Sequence, residues 1–324
     1  MRPAATVETM NGCIWTRREW LAGIAALGAQ SLALARSDRA TAQSAPDDCI
    51  DAHVHLWTPD QSRYPRSGPD RADQYEPAAF TAEELFANAK PCHVNRVVLV
   101  QMNFFGFDNS YMLDTIAKHK GTFRGVAVID DAAPNICGEM RRLAELGVRG
   151  FRIVSGKQPQ TWLDSSGMAA MWKCAAETSQ AICTLVDPEA LPSVDRACAK
   201  FPDTIVVIDH LARIGMAGPI RDSDVSALCR LARHKRVYVK VSAFYALGKK
   251  QYPYLDLSEM IRRVYEAYGA SRLMWGSDSP FQEQNGNTYA GSIELVRDRL
   301  DFLTNDDRHW MLRKTAEDVF FEKS

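Results

Sequence analysis

From Ile50 to Asp278 the chain alternates short β-branched runs with segments of helical period, and it does so eight times. The strand candidates are residues 50–55, 96–101, 124–130, 148–154, 182–187, 204–210, 237–242 and 272–278. A strand, a helix and a further strand in succession pair in parallel through a right-handed crossover. Eight such units over roughly 270 residues match a closed barrel, whose usual size is about 250. An open doubly wound sheet would carry a glycine-rich turn after its first strand, and none follows His55. The fold read from this pattern is α/β, a single (β/α)8 TIM barrel over residues 46–324.

Helix boundaries support the alternation. Thr81 and Glu84 form a capping box ahead of Leu85 and Phe86. Asn109 is placed to cap a helix that runs to Gly121. Pro134 stands as a first helical residue before Ile136, Met140 and Leu143, and Gly147 ends that helix. Ile261, Val264, Tyr265 and Tyr268 form an apolar stripe closed by Gly269, and Ile293, Val296, Leu300 and Leu303 form another. Asp306 is positioned to cap the last helix. Residues 57–80 show no period and read as a loop over the barrel mouth.

Composition removes several function classes. Of 324 residues, 46% are hydrophobic and 24% charged, and 39 basic against 40 acidic residues leave a net charge of −1. These are values of a globular protein with a sizeable core. No basic stripe or Lys/Arg run is present, so the expected partner is a small molecule and not a nucleic acid. Nothing in the sequence fixes an oligomeric state. None of the eight cysteines forms a C-x-x-C pair, which argues against a zinc ribbon. Cys174, Cys183, Cys198 and Cys229 lie in apolar patterns and read as small buried hydrophobes.

The first 45 residues have a different character. Arg17-Arg18 precedes a weakly apolar stretch from Ala22 to Ala35, and Ala40-Thr41-Ala42 offers a small-x-small cleavage site. This order resembles a twin-arginine signal and linker. The stretch is shorter than the ~20 apolar residues of a membrane span. A periplasmic or secreted mature protein, without a membrane segment, is the expectation. Cleavage after Ala42 would leave seven cysteines, an odd number that argues against a complete disulfide framework.

The chemistry-bearing residues fall at strand ends. His53 and His55 are two apart, so on a strand their side chains share a face. His210 closes the apolar run that starts at Ile205, and Asp278 closes the run from Arg272, with Ser279-Pro280 stopping the strand. Strands one, six and eight would then deliver three imidazoles and a carboxylate to one rim, where barrel active sites are built. Hydrolysis of a carbonyl compound needs a group that stabilises charge on the oxygen, imidazole donors or a metal, and a base for the water. These four residues supply both.

The runs 51–57, 206–210 and 274–280 resemble the signature strands of the amidohydrolase superfamily, in its amidohydrolase-related (amidohydrolase 2) group. Residues 98–101, 148–152 and 239–242 match as well, so the resemblance covers nearly the whole chain after Cys49. Asp108-Asn109 and Gly150-Phe151-Arg152 are similar to the lactonase branch, which includes 2-pyrone-4,6-dicarboxylate lactonase and L-fuconolactonase. The resemblance implies that His53, His55 and His210 gather about the substrate carbonyl, directly or through a divalent metal. It implies that Asp278 takes a proton from water and passes it to the leaving oxygen. Metal-rich members supply a His or modified Lys from strand four or five, where this chain has Arg152 and Asp187. A binuclear centre is therefore not expected. The reading leans to no required metal and leaves room for a single Zn²⁺ on His53, His55, His210 and Asp278.

Arg152 is placed to clamp a substrate carboxylate, and Gln101, Arg213 and Tyr64 are further candidates for substrate contact. Tyr245 and Tyr111 read as packing, Asp51 as too deep for a ligand, and His93, His119, His234 and His309 as structural or solvated. The expected activity is opening of a small lactone that carries a carboxylate or several hydroxyls. A metal-dependent decarboxylase of an aromatic or unsaturated acid is the alternative, and a binding barrel without catalysis is disfavoured by the intact four-residue set.

Overall fold

The computed structural model describes residues 48–68, 76–156 and 158–322, which fall in one compact unit, Ala45–Ser324. The twin-arginine segment lies outside the described residues. The strands are β1 (Cys49–Val54), β2 (Val94–Val100), β3 (Phe123–Ala127), β4 (Val148–Val154), β5 (Ala181–Leu185), β6 (Val206–Ile208), β7 (Val237–Ser242) and β8 (Leu273–Gly276). They pair in chain order, every neighbouring pair parallel. Helices α1 (Ala82–Ala89), α2 (Ser110–Lys118), α3 (Ile136–Glu145), α4 (Ser166–Thr178), α5 (Leu191–Lys200), α6 (Asp222–Arg230) and α7 (Ser258–Tyr268) occupy the crossovers. After β8 come α8 (Tyr289–Glu294), α9 (Asn305–His309) and α10 (Thr315–Phe320). Among the described residues no helix is long and apolar enough to cross a membrane.

The circle closes between β8 and β1. The Asp278 amide donates to the His53 carbonyl at 2.8 Å, and the His55 amide to the Ser279 carbonyl at 2.9 Å. Asp51 Oδ1 ties the two strands by accepting the amides of His53 and Ser277, while Oδ2 takes the Tyr289 hydroxyl. Burial pushes this carboxyl up to about 6. Gly276 permits the approach, since a Cβ there would lie 2.9 Å from the His53 Cβ.

Two apolar layers follow from the strand period of two. Ile50, Ala52, Val98, Val100, Cys183, Val207 and Met274 fill the barrel interior, plugged at one end by Phe320 of α10. The alternate residues, such as Val239, Val241 and Ile182, pack with Trp172, Leu143 and Val264 of the surrounding helices. Each fully buried residue of this size contributes about 1.5–3 kcal/mol. In β1 the register shifts between Asp51 and Val54. The inward face passes from Ala52 to His53 at that point, the re-aiming that a bulge provides.

Several boundaries differ from the sequence reading. The Thr81–Glu84 capping box is present. Asn109 caps nothing with its side chain; it bridges Phe107 and Val128, and Asp108 accepts the Ser110 amide instead. Pro134 is not the first helical residue: it precedes the cap of α3, Asn135, whose side chain accepts from the Gly138 amide, and the helix begins at Ile136. Thr304 with Asp307 caps α9 in place of Asp306. Cys174 is not an inert filler: α3 and α4 pack side by side, Cys137 and Cys174 stand 5.7 Å apart at Cα, and a disulfide joins them. That spacing lies within the range a bridge needs.

Candidate active site

A cavity of about 260 Å³ opens where the strands end, lined by His55, Arg152, His210, Arg213, Tyr245 and Asp278 among others. Its size suits a small molecule. His53 lies beneath its floor and is fully buried. The four residues expected to act together do meet. His53 Nε2 and His55 Nε2 are 3.3 Å apart. Asp278 Oδ1 lies 3.2 Å from His55 Nε2, 3.6 Å from His53 Nε2 and 3.8 Å from His210 Nε2.

Backbone geometry aims these groups. β6 stops at Ile208 because His210, Leu211, Ala212 and Arg213 all adopt positive φ, between 51° and 54°. This left-handed turn swings His210 and Arg213 to the cavity. Asp278 also has positive φ, 66°, ahead of the cis Ser279–Pro280 bond. Such conformations cost about 1–3 kcal/mol each in a residue with a Cβ and gather at functional sites.

Each ring is held from behind. His55 Nδ1 donates to the Val100 carbonyl at 2.7 Å. His210 Nδ1 pairs with Ser242 Oγ at 2.9 Å. The Tyr245 hydroxyl donates to Asp278 Oδ2 at 2.8 Å, which leaves Oδ1, an oxygen with no hydrogen-bond partner, facing the imidazoles. Burial and the neighbouring Lys240 hold His53 well below the usual imidazole range, and burial brings His210 down to about 4. Both rings are therefore neutral at pH 7. Burial alone would raise Asp278, but His210, His55 and His53 outweigh it and hold the carboxylate below its usual range. Burial and the adjacent carboxylate raise Tyr245, keeping it a phenol and hence a donor.

The other candidates separate. Arg152 stands in the site, its Nη1 3.3 Å from His53 Nε2 and its Nε 3.7 Å from Asp209 Oδ2. Arg213 reaches the cavity while paired to Asp187. Gln101 lines the cavity, but its amide is committed to the Asp108 carbonyl and the Met102 amide. Tyr64 is a correction: its hydroxyl donates to Asp114 at 2.7 Å and its ring packs on Tyr111, in a separate hollow. It sits in an aperiodic stretch whose path the sequence does not specify. Sequence reasoning assigned Tyr245 to packing, and it passed over Lys240, fully buried on β7 with its ammonium 3.1 Å from both His53 Nδ1 and Asp209 Oδ1.

Residues 50–321 match the Amidohydrolase family. The chain belongs to the amidohydrolase family. Among reviewed relatives, this amidohydrolase is 27% identical over 240 residues to the L-fucono-1,5-lactonase of Burkholderia ambifaria, covering 74% of the chain and 82% of that protein. It is 26% identical over 237 residues to the 4-sulfomuconolactone hydrolase of Rhizobium radiobacter, covering 72% and 76%. A solved amidohydrolase structure from Burkholderia multivorans, with bound zinc, superposes with a TM-score of 0.70 at 21% identity, over 84% of this chain and 98% of that one.

A divalent ion can be tested against the residues themselves. His53, His210 and Asp278 present ligand atoms within 4.8 Å of one another, and their donor types suit zinc. The surroundings of His53 do not. A histidine that ligates through Nε2 turns its Nδ1–H to an acceptor. Here Nδ1 meets the Lys240 ammonium, which only donates, at 3.1 Å, with Asp209 Oδ1 farther at 3.5 Å. Nε2 meets the Arg152 guanidinium. Two cations occupy the two directions that a zinc-bound ring needs for other groups.

Proposed function

We propose that this amidohydrolase opens a small anionic lactone by adding water activated by Asp278. The observation that carries the reading is Asp278 Oδ1, unbonded and ringed by three imidazole nitrogens at 3.2–3.8 Å, while Tyr245 holds the other oxygen. The similarity to two lactone hydrolases supports the substrate class. Arg152 and Arg213, reaching one small cavity, favour a substrate carboxylate or other anion.

In this reading the carbonyl oxygen rests against His53, His210 and Arg152. Asp278 Oδ1 takes a proton as water attacks the carbonyl carbon, and negative charge grows on the oxygen where donors already stand. The ring carbon–oxygen bond then breaks, and Asp278 returns its proton to the departing oxygen. A lactone and one water become one hydroxy acid, which ionises and releases a proton. No step requires a metal, in keeping with the cations about His53.

Export also belongs to the proposal, with residues 1–45 as signal and linker and 46–324 as the barrel. The Cys137–Cys174 disulfide supports an oxidising destination such as the periplasm.

The test is proton release from a panel of sugar lactones, muconolactones and carboxylated pyrones, with the full chain, with and without a chelator. Release that the chelator leaves intact is expected. Release abolished by the chelator and restored by zinc would overturn the metal-free reading. Silence across the panel, with carbon dioxide evolved from aromatic acids, would replace hydrolysis by decarboxylation.

A further inference from the structure

Lys240 lies on β7 with no solvent exposure, inside the barrel, its ammonium 5.6 Å from the centre of the Phe320 ring. Burying an ammonium is costly unless it is paired. Its charge is matched by Asp209 Oδ1 at 3.1 Å, and Asp209 is held below the ordinary carboxylate range, Lys240 and Arg152 outweighing its burial. The proposed hydrolysis uses neither Lys240 nor Asp209.

From Lys240 to the Val100 carbonyl the contacts run in one direction, opposed by one more distant donor, Arg152 Nη1 at 3.3 Å from His53 Nε2. An ammonium has three donors and no lone pair; a carbonyl has lone pairs and no donor. Lys240 Nζ is 3.1 Å from His53 Nδ1, His53 Nε2 is 3.3 Å from His55 Nε2, and His55 Nδ1 is 2.7 Å from the Val100 carbonyl. The lysine end makes His53 Nδ1 an acceptor, so the proton of the neutral ring is on Nε2. The carbonyl end puts a proton on His55 Nδ1, leaving Nε2 to accept from His53. The two imidazoles, two residues apart, hold opposite tautomers.

We propose that Lys240 is a positioning residue that locks His53 in the tautomer presenting Nε2–H at the floor of the cavity. That N–H lies beside Arg152 Nη1, 3.3 Å away. Two donors this close repel until an acceptor oxygen sits between them. Without substrate that N–H is held by His55 Nε2, and the oxygen that gains charge during lactone opening takes it over, with Arg152 as the second donor, a role that rests on the function proposed above.

Side-chain ¹⁵N–¹H correlation spectra of the histidine-labelled full chain, at pH 7 without substrate, test this directly. His53→Gln and His55→Gln assign the two rings. The expected result is a proton on Nε2 of His53 and on Nδ1 of His55. A proton on Nδ1 of His53 in the unsubstituted protein overturns the proposal, whatever the variants do. Lys240→Met, near in shape and without charge, is expected to mix the His53 tautomers and lower kcat at least tenfold with KM within twofold. Lys240→Met/Asp209→Asn restores charge balance if the single variant fails to fold, and is expected to show the same mixing. An unchanged His53 pattern in whichever variant folds also overturns it. The spectra need no lactone, so an inactive panel would count against hydrolysis while the tautomer is read independently.

Discussion

Replacing Asp278 with Asn should remove the base and spare the fold. Asn keeps the shape, and its carbonyl can still accept the Tyr245 hydroxyl that now meets Oδ2 at 2.8 Å. Its amide nitrogen would take the place of Oδ1, 3.2 Å from His55 Nε2, with a donor where the carboxylate had a lone pair. Water then faces an amide that cannot accept its proton. General-base catalysis contributes about 10²–10⁴ in rate, which is about 3–5 kcal/mol of barrier. The assay is indicator-detected proton release under saturating lactone, with a thermal melt on the same samples. A kcat reduced at least a hundredfold, with the melting midpoint moved by only a few degrees, is expected. An unchanged kcat would refute the reasoning, because no other buried carboxylate oxygen faces the imidazoles from the cavity among the described residues.

Three further outcomes follow from the geometry. Arg213→Gln should raise KM at least tenfold for carboxylated lactones and little for neutral ones; equal effects on both would deny Arg213 a role in binding the anion. Acid should destabilise the barrel. His210 binds fewer protons folded than unfolded, its pKa falling from 6.5 to about 4, so its contribution is present above pH 6.5 and lost as pH falls toward 4. At 1.36 kcal/mol per pH unit this is about 3 kcal/mol, and urea midpoints flat between pH 7 and pH 4 would contradict it. Removing the disulfide, which spans 37 residues, should cost about 4 kcal/mol by loop entropy; equal denaturation midpoints for Cys137→Ser and the oxidised parent would rule out that contribution.

The strands were legible because a parallel barrel buries both strand faces and writes each strand as an apolar run. β4 and β7 begin and end where the sequence places them. β6 is shorter than its apolar run because the chain turns left-handed at His210, and a positive φ in His, Leu and Ala leaves no mark in side-chain period. The four strand-end residues could be found because polar groups closing apolar runs are rare. Tyr245 could not, since it follows β7 in a short turn with no repeating pattern. Lys240 was readable in principle. It alternates with Ser242 on the inward face of Val-Tyr-Val-Lys-Val-Ser, but a lysine in a strand is ordinarily taken for a solvated one. The partner that makes its burial tolerable, Asp209, belongs to another strand's end.

The reversed screw from His210 to Arg213 has a consequence for how this enzyme can change. Three peptide steps of the wrong hand separate an imidazole from a guanidinium, so the distance between the group facing the reacting carbon and the group facing the anion is fixed by backbone handedness. Leu211 and Ala212, fully buried between them, have a backbone open to glycine and closed to valine, isoleucine or threonine. A lineage exploring longer or shorter substrates cannot slide one residue along this turn. It must alter residues outside the turn, such as Met216, Leu247 and Phe281, which also line the cavity.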